Sequence, residues 1–346
     1  MNRWLFLAFF AVLLAFPMTC PAPLTYRPGE GWVYESVGGG GKWVRTRAKD
    51  QLEVAQAAYD KGDYGTSLKA ARRTVKVWPL SDYAPKAQFL LGQTYEKKHQ
   101  DELAFKAYQT LLEKYPKLDN FEEVVARQYE IANRFLGGQW FKLWGYVPFF
   151  PNMDKTADMY EKVIRNGPFT ETAPQAQMKI GSAREKQADF PLAVKAYERA
   201  ADRYHDQQTV ASDALYKSGL AYHKQTLKAE YDQGTAEKAM SAFGDFTALY
   251  PEDPRVPDAR KKISNLKSEQ ARGSYEIARF YEKKKRWDGA LVYYSDVVEI
   301  DPDSKFAEEA RKKIEQLRLK VQNRPVPDPV QPDPAAAVQP APKANP

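Results

Sequence analysis

One cysteine and three histidines are all that 346 residues offer for thiol or soft-metal chemistry. A zinc cluster draws four ligands from closely spaced Cys and His pairs, so Cys20 with His99, His205 and His223 excludes one, and a lone cysteine excludes an internal disulfide. No Cys falls in the region that reads as folded. The three His lie in helical stretches without a Ser/Asp partner at a recognisable spacing, so no catalytic residue, no metal ligand and no cofactor is expected. Charge of one sign is also scarce: a net +7 arises from 52 basic and 45 acidic residues spread along the whole chain. That is a solvated mixed surface rather than the clustered footprint of a nucleic-acid binder. A small-molecule phosphate site fares no better, because "GGGGK" has Trp43 after Lys42 where Ser or Thr is needed, and Ser36 where the first Gly belongs.

What the sequence does hold begins with a targeting segment. Arg3 supplies a positive start and residues 4–16 an apolar stretch too short for an ordinary membrane span, so residues 1–22 read as an export signal. Cys20 stands where a bacterial lipoprotein carries its acylated cysteine, which leaves lipidation at Cys20 and ordinary cleavage near Ala22 both open. Residues 23–44 form an extended lead-in. Residues 322–346 contain eight Pro and no aromatic, and read as a disordered tail that cannot build a core.

Between them lies a repeat. Leu91-Gly92, Tyr95, Ala104, Tyr108 and Pro116 follow the tetratricopeptide spacing: a small residue on one helix, a small residue and an aromatic on the next, then a helix-ending Pro. Ungapped copies recur at Ile180-Gly181, Ala193, Tyr197 and at Ile277-Ala278, Tyr281, Ala290, Tyr294, Pro302. Gapped copies run through Ile131-Ala132, Phe135, Tyr160 and through Gly219, Tyr222, Ala239, Phe243, with a weaker first copy at Val54-Ala55, Gly62, Tyr64, Ser67. The expected fold is all-α over residues 45–321: a tetratricopeptide-type superhelix of about six helical hairpins plus a C-terminal end helix. The junctions "PLSDYAPKA", "PFTETAPQA" and "PDSKFAEEA" repeat too, and make Ser81, Thr170 and Ser304 expected N-caps.

A stacked array of hairpins has a groove lined by the first helix of each repeat. The expected groove positions are Leu52, Gln56 and Tyr59, then Phe89, Gln93 and Glu96, then Tyr129, Asn133 and Leu136. Leu52, Tyr59, Phe89, Gln93, Tyr129, Asn133 and Leu136 are the candidates for holding an extended peptide with aromatic side chains; the bland reading is that part of this stripe packs on the lead-in or a neighbouring helix. The third hairpin carries an insertion, residues 137–153, containing "QWFKLWGYVPFFPN". Gly145, Pro148 and Pro151 forbid a regular helix there. Trp140, Phe141, Trp144, Tyr146, Phe149 and Phe150 are candidates for docking a partner, for plugging the array locally, or for resting at a membrane interface. The basic runs at residues 283–286 and 311–313 read as solvated charge.

An export signal followed by hairpins with Pro, Ser/Thr and Ala-x-x-Ala junctions resembles the BamD family of outer-membrane β-barrel assembly lipoproteins. The likeness is strongest over "SYEIARFYEKKKRWDGALVYYSDVVEIDPDSKFAEEA". The resemblance implies a non-catalytic scaffold in the periplasm, associated with the outer membrane and tethered to its inner leaflet if Cys20 is acylated. Its partners would be a BamA-like barrel subunit and unfolded outer-membrane proteins. The same hairpins also serve periplasmic adaptors of division or peptidoglycan machinery, which is the alternative.

Overall fold

The computed structural model describes residues 24–29, 31–34, 43–143, 147–227 and 233–322. The targeting segment with Cys20, the "GGGGK" stretch, Trp144, Tyr146 and the tail lie outside the described residues. Thirteen helices and two short β-ribbons are present among those described, distributed over two compact units that divide after Val210.

In the first unit the helices come in antiparallel pairs: α1 (Ala48–Asp60) with α2 (Tyr64–Val77), α3 (Tyr83–Lys97) with α4 (Asp101–Lys114), α5 (Phe121–Leu136) with α6 (Met153–Asn166), and α7 (Thr172–Lys186) with α8 (Phe190–Arg203). First helices of successive hairpins also touch, α1 on α3 and α5 on α7, so the pairs stack. The spacing of small and aromatic residues explains how each pair closes. Tyr108, Tyr160 and Tyr197, the aromatic landmarks of the second helices, are all fully buried. A Cβ on Gly92 would sit 2.2 Å from the Tyr108 ring, and one on Gly181 would sit 2.3 Å from the Tyr197 ring. These helices cross where only glycine leaves room for the ring.

The second unit holds α9 (Gln208–Thr226), α10 (Gln233–Leu249), α11 (Val256–Lys283), α12 (Trp287–Ile300) and α13 (Lys305–Gln322), of which α9 begins just before the division. The 28-residue α11, about 42 Å long at 1.5 Å per residue, serves two hairpins in turn. Its Val256 and Ala259 pack with Phe243 and Phe246 of α10, and its Ala271, Tyr275 and Ala278 pack with Tyr294 and Val297 of α12 and Leu317 of α13. The sequence landmarks mark only the second of these contacts.

Turns within hairpins use a left-handed residue before the second helix: Gly62 at φ 77°, His99 at 52°, Ala188 at 58° and Lys285 at 56°. Asp63, Asn152 and Asp189 then cap α2, α6 and α8 by accepting from Thr66 N, Lys155 N and Leu192 N. At the junctions between hairpins the expected caps are only partly realised. Ser304 Oγ accepts from Ala307 N at 3.2 Å. All three hydroxyls turn back, Ser304 to Asp301 O at 2.9 Å, Ser81 to Trp78 O at 2.9 Å and Thr170 to Gly167 O at 2.7 Å, but the Ser81 and Thr170 side chains do not also cap the helix ahead. The reason is geometric: each helix starts one residue late, on Asp82 or Glu171 in αR conformation, and the hydroxyl meets orphan carbonyls of the helix behind it first.

The lead-in is more ordered than an extended strand. β1 (Leu24–Arg27) and β2 (Gly31–Tyr34) form an antiparallel ribbon, with Tyr26 edge-on to Trp32 at 5.5 Å. Its turn docks on the start of α3, where Asp82 N donates to Gly29 O at 2.8 Å.

Candidate functional site

The first helices α1 and α3, together with the connection from α4 to α5, enclose a groove of about 770 Å³. Leu52 and Gln56 come from one face of α1; Pro85, Phe89 and Gln93 come from one face of α3, because residues four apart share a helix face. Leu118 closes the far side, and Glu53, Lys86, Lys117 and Asp119 form a charged rim of both signs. The lining thus combines apolar Leu52, Phe89, Leu90 and Leu118 with the polar side chains of Gln56, Gln93 and Asn120.

Not every expected groove residue lines this cleft. Leu52, Phe89 and Gln93 are brought together in it. Leu136 is buried in the core, and its carbonyl accepts from Lys186 Nζ at 2.5 Å. Asn133 Oδ1 accepts from the Tyr160 hydroxyl at 2.7 Å, while Tyr129 packs on the Tyr160 ring at 5.9 Å. Tyr59 stands edge-on to Tyr64 at 5.8 Å. Tyr59, Tyr129 and Asn133 thus make contacts within their own hairpins, and Leu136 joins its hairpin to the next. Helix periodicity puts them on the groove-facing side, and there Tyr129, Asn133 and Leu136 are claimed by residues 27 to 50 positions away, Tyr59 by a residue on the helix that follows its own.

Sequence reasoning missed the charge hub beside the cleft. Glu96 on α3 accepts from the Tyr108 hydroxyl at 2.6 Å and pairs with Arg127 at 3.3 Å and Arg134 at 3.1 Å. Arg134 also reaches Asp101, a buried carboxylate, at 2.8 Å. Burial, reinforced by the hydrogen bond to Glu96, pushes the Tyr108 phenol well above its usual range, so it stays a neutral donor. The Arg127 guanidinium lies 5.5 Å from the centre of the Phe89 ring and covers one of the ring's faces. The available signal was Arg127 and Arg134, seven residues apart on one face of α5, opposite a single acid on the preceding first helix. The hub joins two hairpins and stiffens the wall of the groove. No group of three or more His, Cys, Asp or Glu among the described residues could hold a metal.

The insertion is a hairpin, β3 (Phe141–Leu143) paired with β4 (Val147–Phe150), with an irregularity between Phe141 and Lys142. Its base is fixed to the array. Phe141 is buried and stacks on Phe135 at 4.2 Å and 18°. Gln139 Nε2 donates to Asp101 at 2.6 Å, Lys142 N to Glu102 at 2.6 Å and Lys142 Nζ to His99 O at 2.9 Å. Trp140 and Phe150 stay outside, 51% and 43% exposed. One ring of the aromatic set thus plugs the core, and at least two face solvent.

Residues 152–322 match the family model described as outer membrane lipoprotein, YfiO, and residues 52–119 match a tetratricopeptide repeat model. With Gly92 set against Tyr108 and Gly181 against Tyr197 in two of the hairpins of the first unit, and the helices paired in sequence order, the chain has the fold of a tetratricopeptide-repeat protein. Among curated proteins it is similar to the outer membrane protein assembly factor BamD of Caulobacter vibrioides, 24% identical over 159 residues that make up 46% of this chain and 52% of that one. The BamD of Vibrio cholerae is 27% identical over 158 residues, 43% of this chain and 64% of that protein. The chain is, within its class, BamD-like, and its match spans about half to two thirds of the length of these relatives. Of solved structures, the C-terminal part of a tetratricopeptide protein from Cytophaga hutchinsonii aligns over 76% of this chain and 87% of that one, at 16% identity and a TM-score of 0.32. The groove lies outside the segment that matches the lipoprotein family.

Proposed function

We propose that this chain is a non-catalytic periplasmic scaffold for the assembly of outer-membrane β-barrel proteins. On this reading the groove between α1 and α3 receives unfolded client segments, the exposed face of the insertion hairpin docks on a BamA-like barrel subunit, and an acyl chain on Cys20 holds the scaffold at the membrane. The observation that carries the proposal is the groove itself. It offers Leu52, Phe89 and Leu118 to apolar side chains and Gln56 and Gln93 to the backbone of an extended peptide, beside a segment that is BamD-like in sequence. Each aromatic client residue buried there would contribute about 2 kcal/mol. Among the described residues no helix is long and apolar enough to cross a membrane, so the anchor in this proposal is the lipid.

The test uses a photo-crosslinking residue at Gln93, in the groove lining, and a second at Lys162, an exposed position on α6. An unfolded outer-membrane protein ending in an aromatic residue should crosslink at the first site and not at the second. Equal labelling at both would sink the groove assignment. In envelope extracts the chain should co-purify with a BamA-like protein, and Trp140→Ser should weaken that capture without lowering Tm. Recovery of division or wall-synthesis proteins instead would overturn the assembly role.

A further inference from the structure

The second unit carries a pocket of about 590 Å³ that the groove reading leaves unused. Trp287, at the start of α12, forms its base, and Phe280 on α11 stands 57% exposed beside it. Around the rings stand Arg279, Lys283, Lys313 and Lys320. The two basic runs that read separately as solvated charge are here brought together by the packing of α11 on α12 and α13. Glu276 pairs with Arg279 at 3.3 Å and Glu282 with Lys313 at 3.0 Å. Glu282 also accepts from the Tyr294 hydroxyl at 2.8 Å, so its charge is largely spent inside the fold. Lys283 and Lys320 remain exposed, with the Lys320 ammonium 5.1 Å over the Trp287 ring. The pocket is cationic and aromatic, and suits a ligand that combines flat apolar rings with carboxylates.

Such a ligand is tethered to its rim. α13 ends at Gln322, two residues beyond Lys320, and the chain continues as Asn323-Arg324-Pro325-Val326-Pro327-Asp328-Pro329, with Asp333 between two further prolines. We propose that residues 325–333 of this tail occupy the Trp287 pocket, with proline rings on the indole and Asp328 among the lysines. Extended Pro-rich chain docks on aromatic-lined grooves because it has little entropy left to lose. The reach suffices: six residues past Gln322 span ~19 Å at ~3.1 Å each. Lys313 lies nine residues back along α13, ~13.5 Å at 1.5 Å each, which is within that reach. Docking in cis would cover a cationic patch that otherwise attracts anionic ligands, and it is independent of the assembly role.

The experiment is lysine acylation footprinting of the full chain and of its Asp328→Asn, Asp333→Asn variant, which alters nothing in the folded units. An effective concentration of a few mM against a Kd on the order of 1 mM covers the pocket about three quarters of the time. Lys283, Lys313 and Lys320 should then acylate about fourfold faster in the variant, with Lys162 unchanged. A synthetic peptide of residues 323–334, added to the variant at mM concentration, should restore the protection. Equal rates in the two proteins would overturn the proposal. Protection that disappears on hundredfold dilution of the full chain would overturn it as well, since that outcome assigns the pocket to a second copy.

Discussion

Replacing Gly92 with alanine tests the mechanical basis of the repeat. In an exposed helix interior the change stabilises by about 1 kcal/mol, because alanine has less backbone freedom to lose. In α3 the added carbon would meet Tyr108 at 2.2 Å from Cε1, 2.5 Å from Cζ and 2.7 Å from Cδ1, whereas ordinary contact begins near 3.4 Å. The ring would have to retreat by more than 1 Å. It has nowhere to go, since Tyr108 is fully buried, packs on Phe89 at 5.8 Å and is held by Glu96 at 2.6 Å. Overpacking of this kind costs about 3 kcal/mol, which leaves a net loss of about 2 kcal/mol. The control is Gly273→Ala in α11, where an added Cβ meets nothing within 4 Å and a gain of up to about 1 kcal/mol is expected. Because stacked hairpins open locally, the assay is amide hydrogen exchange in α3 and α4 rather than a single global melt. Faster exchange there for Gly92→Ala, and slower exchange in α11 for Gly273→Ala, is the expected pair. If Gly92→Ala left exchange unchanged or slowed it, close glycine–tyrosine crossing would not be what sets the hairpin.

Three further perturbations follow from the same structure. Ala188→Gly relieves a left-handed residue at φ 58° in the turn before α8, and after the added unfolded-state entropy should gain about 0.5 kcal/mol in denaturant unfolding. Phe141→Ala removes the ring stacked on Phe135 and should cost about 3 kcal/mol, while Trp140→Ser, at an exposed position, should stay within about 0.5 kcal/mol; equal effects would contradict the plugged base of the insertion. Hydrogen bonds from the Arg255 guanidinium pull the Asp253 carboxyl down to about 2 from an ordinary 3.8, so its contribution to stability is complete above about pH 4 and lost as pH falls toward 2. Asp253→Asn should lower the stability of the second unit at neutral pH and flatten its acid transition across that window, as followed by circular dichroism.

Much of the fold was legible because the repeat is a local code. Gly181 and Tyr197 lie sixteen residues apart, within one hairpin, and the pairing of small residue and ring needs no distant information. Gly145, Pro148 and Pro151 interrupt helical periodicity, and the insertion lies between α5 and α6. Its conformation was not legible. Strand pairing between Phe141 and Phe150 depends on anchors at Asp101, Glu102 and His99, about forty residues away. The caps went astray for a subtler reason. Ser81 and Thr170 have two sets of orphan groups within reach, carbonyls behind and amides ahead, and sequence alone does not rank them.

By itself the sequence determined that this chain forms α-helical hairpins, which residues close many of them, and that an internal disulfide and a Cys/His zinc cluster are foreclosed. Periodicity also determined which side chains share a helix face. Only the tertiary structure decided which of those side chains are left open. It kept Leu52, Phe89 and Gln93 on a groove, gave Leu136 and Tyr129 to neighbouring helices, and gathered two scattered basic runs around Trp287. The physical reason is that a face is fixed by a few residues of its own helix, whereas exposure is a free-energy competition among all surfaces the chain brings to that face.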